Sequence, residues 1–151
     1  MGHPVVHFEI RSPDPDATRS FYGKLFGWSY PDGGFPGYTY IDSGIDGAVP
    51  GGISPLQGGE ALVTFFIGVE DVAATLEAAT AHGGRIVQPA TSVPGVTFGL
   101  FADPHGQVVG VASQTAWHIS GASRRQAPRR QGSNDSGRRA VRSVRPGGRR
   151  R

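Results

Sequence analysis

Six residues of the N-terminal stretch return unchanged 57 positions later. Phe8 is matched by Phe65, Ile10 by Ile67, Asp14 by Asp71, Ala17 by Ala74, Thr18 by Thr75 and Gly27 by Gly84. Further along, a register of 59 pairs Gly47 with Gly106, Val49 with Val108 and Gly51 with Gly110. Self-similarity at a fixed spacing points to one supersecondary unit used twice. Whatever this chain folds into must therefore be built from two like halves.

Each half has the same order of elements. "VVHFEIR" alternates β-branched and aromatic residues with polar ones, which predicts a strand. In "SPDPDATRSFYGKLFGW", Asp14 can cap a helix that starts at Pro15, with Thr18, Phe21, Tyr22 and Leu25 on one face and Gly27 as its stop. "GYTYIDSG" and "GAVPGGIS" predict short strands around a glycine-rich turn. The second half opens with "LVTFFIG" and continues into a helix in "VEDVAATLEAATAHGG", whose buried face holds Val72, Leu76 and Ala79. "RIVQ", "VTFGLFA" and "QVVGVAS" supply three more strands. The unit reads as strand, helix, three strands, performed twice.

Charge divides the chain differently. From Ala116 onward there are 11 arginines and one acid, Asp135, which leaves 4 basic and 11 acidic residues before it. The body is strongly acidic and residues 115–151 strongly basic. That segment has few apolar residues, no period and many breakers, so disorder is expected. Two readings stand for it: an arm for nucleic acid or another anionic surface, since clustered arginine displaces phosphate counterions, or an extension with only nonspecific attraction. No aromatic follows Trp117 to stack on bases. The chain has no cysteine, which excludes disulfides and thiolate metal sites. "MGHPVVHFEI" lacks the pattern of a signal peptide and no apolar run approaches a membrane span, so a cytoplasmic protein without membrane contact is expected.

The doubled order, the opening "VVHFEIRSPDPDATRSFYGKLFGW" and the closing "GLFADPHGQVVGV" resemble the vicinal oxygen chelate superfamily, which includes glyoxalase I, bleomycin-resistance proteins and extradiol dioxygenases. The resemblance covers residues 4–114, with module 1 at about 4–55 and module 2 at about 61–114. It implies an α+β fold of two tandem βαβββ modules forming a cup-shaped, incompletely closed barrel, and a homodimer. Metal-dependent members hold zinc, nickel, manganese or iron(II) with a His or Gln on the first strand of each module and an acid on the last. The metal grips two neighbouring substrate oxygens as a Lewis acid. Carried onto this chain, His7 fits the first place, while the other three fall on Thr64, Gly51 and Gly110.

Strand alternation places His7, Glu9 and Arg11 on one face and Val6, Phe8 and Ile10 on the other. The polar face is expected to look into the cup and the apolar face to pack on the helices. Thr64 and Phe66 line the opposite wall by repeat register, and Tyr38, Tyr40 and Asp42 share one side of a neighbouring strand. Gly51 and Gly110 leave room where acids would stand. His7, Glu9, Tyr38, Tyr40, Thr64 and Phe66 are thus the candidate ligand contacts, with Glu9 a candidate general base. The expected function is binding of a small aromatic or polar molecule with no tightly held metal. The alternative is a lyase, isomerase or dioxygenase of glyoxalase type, with an atypical metal site or none.

Overall fold

A computed structural model describes residues 2–32 and 36–113. The expected arginine-rich arm at 115–151 lies outside the described residues. The elements run β1 (Val5–Ser12), α1 (Pro15–Phe26), β2 (Thr39–Ile41), β3 (Gly51–Pro55), β4 (Leu62–Val69), α2 (Val72–Ala81), β5 (Arg85–Val93), β6 (Val96–Ala102) and β7 (Val108–Ser113). All seven strands join one mixed sheet in the order β2-β3-β1-β4-β7-β6-β5, not closed into a barrel.

The repeat is visible in both helices and at the centre of the sheet. Asp14 and Asp71 each accept a hydrogen bond from the backbone N–H three residues on, that of Ala17 and of Ala74. Thr18 and Thr75 donate to the carbonyls of the same two aspartates. Each cap satisfies N–H groups that the first helical turn leaves unpaired. Gly27, at φ 69°, closes α1 in the left-handed region where a side chain would be strained. β1 and β4 are antiparallel and Phe8 pairs with Phe65, so the two halves meet about a pseudo-two-fold at that pair.

Among the described residues, one strand of the doubled pattern is missing. Where module 1 should have a third strand after its helix, the described residues form only a bridge between Ser29 and Asp42. Pro31 and Pro36 flank this stretch, and proline cannot donate to a ladder. In module 2 the corresponding strand, β5, runs for nine residues.

The core lies on both sides of the sheet. On the helix side, Ile10, Ile41 and Ile53 pack with Phe8, Tyr22 and Trp28 near α1, and Val69, Val72, Leu76 and Val111 pack near α2. On the other side, Phe66, Leu100 and Ala112 gather with Phe98 and Val108. Val6 joins this last cluster rather than the helix side. A register irregularity between Val5 and His7 breaks the alternation there. The α1 face that carries Thr18, Phe21, Tyr22 and Leu25 is not a buried one: Phe21 and Leu25 stand exposed and Tyr22 is half-buried. Among the described residues no helix is long and apolar enough to cross a membrane.

Candidate functional site

β1 brings His7, Glu9 and Arg11 to the side of the sheet away from the helices. His7 pairs across to Phe66 and Glu9 to Thr64 on β4. On the other flank, Glu9 lies beside Gly52 and Arg11 beside Ser54 of β3, and Tyr40 of β2 is opposite Gly52. Five polar residues are buried in the described chain, and four of them, His7, Glu9, Ser54 and Thr64, belong to this side.

The polar groups hold one another. His7 Nε2 and the Tyr38 hydroxyl are 2.5 Å apart. Arg11 Nε donates to Glu9 Oε1 at 2.5 Å, and Ser54 Oγ donates to the same oxygen at 3.3 Å. Thr64 is committed elsewhere, donating to the Val108 carbonyl at 2.8 Å. Arg11 Nη1 also reaches Gln88 Oε1 of β5, at 3.5 Å. In a flat sheet β1 and β5 would be about 19 Å apart, four strand spacings. Two side chains cannot span that, so the second half of the sheet must curl over the first, and the concave face is the predicted cup.

The cup is walled by rings. His7 stacks with Tyr38 and meets the edge of Phe66, with centroids 6.3 and 5.9 Å away, and Tyr38 meets Tyr40 edge-on at 5.3 Å. Burial lowers the His7 pKa to about 4, so the imidazole is neutral at pH 7. The Tyr38 hydroxyl is pushed upward, first by burial and then by the nearby Glu9 carboxylate and Tyr40, with Arg11 opposing. A neutral imidazole and a neutral phenol can exchange hydrogen-bond roles with a bound group, but neither carries charge.

Two sequence expectations need correction here. The cup-facing glycine of β3 is Gly52, not Gly51. A Cβ on Gly51 would strike the Phe8 ring at 2.2 Å, on the helix side, whereas one on Gly52 would lie 1.9 Å from the Tyr38 hydroxyl. Because β1 pairs Glu9 with Gly52 as β4 pairs Phe66 with Gly110, the repeat register of these last strands is 58, one residue off the expected value. The glycines also leave no room. The Tyr38 hydroxyl fills the place above Gly52, and the Phe66 ring lies 2.4 Å from where a Gly110 Cβ would be.

Tyr38 also lines a polar crevice of about 360 Å³ with Arg19, Tyr30, Pro31, Asp32 and Thr39. It therefore borders both the buried cluster and an open hollow. Sequence reasoning missed Ser54, Gln88 and Gly52 as neighbours of Glu9 and Arg11. The signal for two of them was the parallel register of β3 on β1; the reach of Gln88 depends on sheet curl, which has no local signature.

Residues 5–111 match the family model described as the Glyoxalase/Bleomycin resistance protein/Dioxygenase superfamily. The chain belongs to this superfamily. A curated relative is CFP32 of Mycobacterium tuberculosis, provisionally named a glyoxylase, at 28% identity over 111 residues. The alignment takes in 68% of this chain and 42% of that protein, so the chain spans less than half the length of its relative. The fold is shared with hypothetical protein BH1468 of Bacillus halodurans C-125, with a TM-score of 0.56 and 11% identity, covering 75% of this chain and 95% of that one. It is shared also with methylmalonyl-CoA epimerase of Mycobacterium tuberculosis, with a TM-score of 0.53 and 14% identity, covering 72% and 86%.

The four-ligand metal set of metal-dependent superfamily members does not fit these residues. The places correspond to His7, Thr64, Gly52 and Gly110, one nitrogen donor, one hydroxyl bound to a carbonyl and two glycines overlain by rings. Among the described residues no group of three His, Asp or Glu side chains could hold an ion. Glu9, the nearest carboxylate, is engaged by Arg11 and Ser54.

Proposed function

We propose that this superfamily member binds a small molecule without a metal, in the place that the Tyr38 hydroxyl now fills beside His7. One observation carries this reading: a phenol of the chain itself stands against a buried, neutral imidazole, over a glycine and between aromatic walls. Burying His7, Glu9, Ser54 and Thr64 together is costly unless every group is answered, and a fold needs only packing here. A cluster retained at that cost is a candidate binding site. The ligand is a small ring bearing a hydroxyl, which takes over the bond to His7 while Tyr38 turns into the crevice of which it is already a wall. The acidic body disfavours strongly anionic ligands.

The test is a titration of the full chain with a series of phenols, followed by histidine side-chain NMR. Binding should shift the His7 resonances and weaken when His7 is replaced by Phe. Binding that leaves His7 unmoved, or no binding by any phenol, would contradict the proposal. Kinship to CFP32 favours a second reading, a lyase, isomerase or dioxygenase of glyoxalase type in which Glu9 acts as base. Turnover of an α-hydroxycarbonyl or catechol that is lost in Glu9→Gln would establish it.

A further inference from the structure

The central strand of the sheet is left half uncovered. β4 is fourth of the seven strands. α1 packs mainly on β3 and β1, and α2 on β5, β6 and β7. α2 meets β4 at its far end, where Val72 and Leu76 pack against Val69. Val63 and Phe65 share the face of Val69 by strand alternation, yet they are 68 and 43% exposed. Across from them Phe21 of α1 is 60% exposed, and it lines with Val63 an open hollow of about 480 Å³. The fold does not call for a large ring there, since the residue 57 positions on from Phe21 is Ala78. A stripe of apolar residues open to water marks a place that something covers.

The chain itself carries a matching piece. β7 is parallel to β4 and Ser113 stands opposite Val69, so the chain leaves the sheet at the covered end of β4. The residues that follow are "QTAWHIS", in which Thr115, Trp117 and Ile119 alternate with Ala116, His118 and Ser120. An extended run turns Trp117 and Ile119 to one side, spaced as Phe65 and Val63 are on β4. The counts agree as well. Phe65 and Val63 lie four and six residues before Val69, and Trp117 and Ile119 lie four and six after Ser113. At about 3.3 Å per residue, both pairs are about 13 and 20 Å from the strand end. The length of an indole offsets what the reversal of the chain takes up. Past Ile119 the only larger apolar residues are Val141 and Val144, so the apolar part of the segment falls where it reaches β4.

We propose that residues 115–120 cover the open part of β4, between the two helices, with Trp117 against Phe65 and Ile119 entering the hollow beside Phe21 and Val63. Two features favour this occupant over a separate partner. The first is the tether: a contact closed over so short a span has an effective concentration on the order of millimolar. The second is charge. From Ala116 onward there are 11 arginines and one acid, against 4 basic and 11 acidic residues before it, so the segment is drawn to the body it leaves. Exposed Asp14 lines the hollow and exposed Glu60 adjoins it, while Arg124 and Arg125 come five and six residues after Ile119. Arg11, which also lines the hollow, is already paired with Glu9.

Trp28→Phe in the full chain leaves Trp117 as its one tryptophan, and the fluorescence of that residue tests the proposal. With circular dichroism showing the fold kept, emission should lie at shorter wavelength than in urea, and acrylamide quenching should be several-fold weaker. Phe65→Ser and Val63→Ser should each bring both readings toward their values in urea. Val87→Ser, at a similarly exposed apolar site on edge strand β5, should leave them alone. A second measurement keeps Trp28 in place: Trp117→Ser should make the full chain bind several-fold more anilinonaphthalene sulfonate, a dye for open apolar surface. Trp117 quenched as freely as in urea, shielding indifferent to Phe65→Ser and Val63→Ser, or dye binding unchanged by Trp117→Ser would overturn the proposal. So would shielding that is lost on dilution, which would put the segment of one copy on another.

Discussion

His7 is the residue whose chemistry depends most on where the fold puts it. Burial lowers its pKa from 6.5 to about 4, so the unfolded chain takes up a proton in a range where the native chain does not. The resulting stability is fully present above about pH 6.5 and is lost as the pH falls toward 4, an effect on the order of 3 kcal/mol. Urea unfolding across that range should show the slope, and His7→Gln should flatten it; an unchanged slope would place the titration elsewhere. Gly52 is the second such residue. Gly52→Ala should cost about 1–3 kcal/mol by driving out the Tyr38 hydroxyl, and much less in a Tyr38→Ala background. Equal costs in both backgrounds would mean that Tyr38 does not fill this place. Alternation alone put His7, Glu9 and Arg11 on one side of β1. It misplaced Val6, and the repeat register of 59 chose Gly51 over Gly52, because one irregular residue or a register change from 59 to 58 flips a side chain to the other face.

At the scale of elements, the repeat was legible because the caps repeat. Asp14 and Asp71 do the same work in their helices, and replacing either by Ala should lower stability by about 1 kcal/mol. Being in separate modules, the two losses should add in thermal or urea unfolding; a double variant departing clearly from the sum would reveal coupling between the halves. The strand absent after α1 among the described residues was hidden by a pattern that assumed equal modules, although Pro31 and Pro36 argue against it. The outward side of α1 was hidden for a different reason. Periodicity shows that Phe21 and Leu25 share a face, but not whether that face meets its own sheet or another molecule.

For the molecule as a whole, the two-module sheet and superfamily membership were within reach of the sequence, because duplication, caps and turn glycines are local signals. The closed state of the cup was not. It follows from Tyr38 and Phe66 lying over Gly52 and Gly110, contacts between residues distant in the chain that no spacing reveals. The site that results has one imidazole, a carboxylate held by arginine and a phenol, a set suited to hydrogen bonding with a small ring and ill-suited to gripping a divalent ion. The most direct test is a calorimetric titration of the chelator-treated full chain with zinc, nickel, manganese and iron(II). The account predicts no stoichiometric uptake that depends on His7. Tight uptake of one ion per chain, abolished by His7→Ala, would contradict it and make this chain a metalloenzyme candidate with a rearranged site.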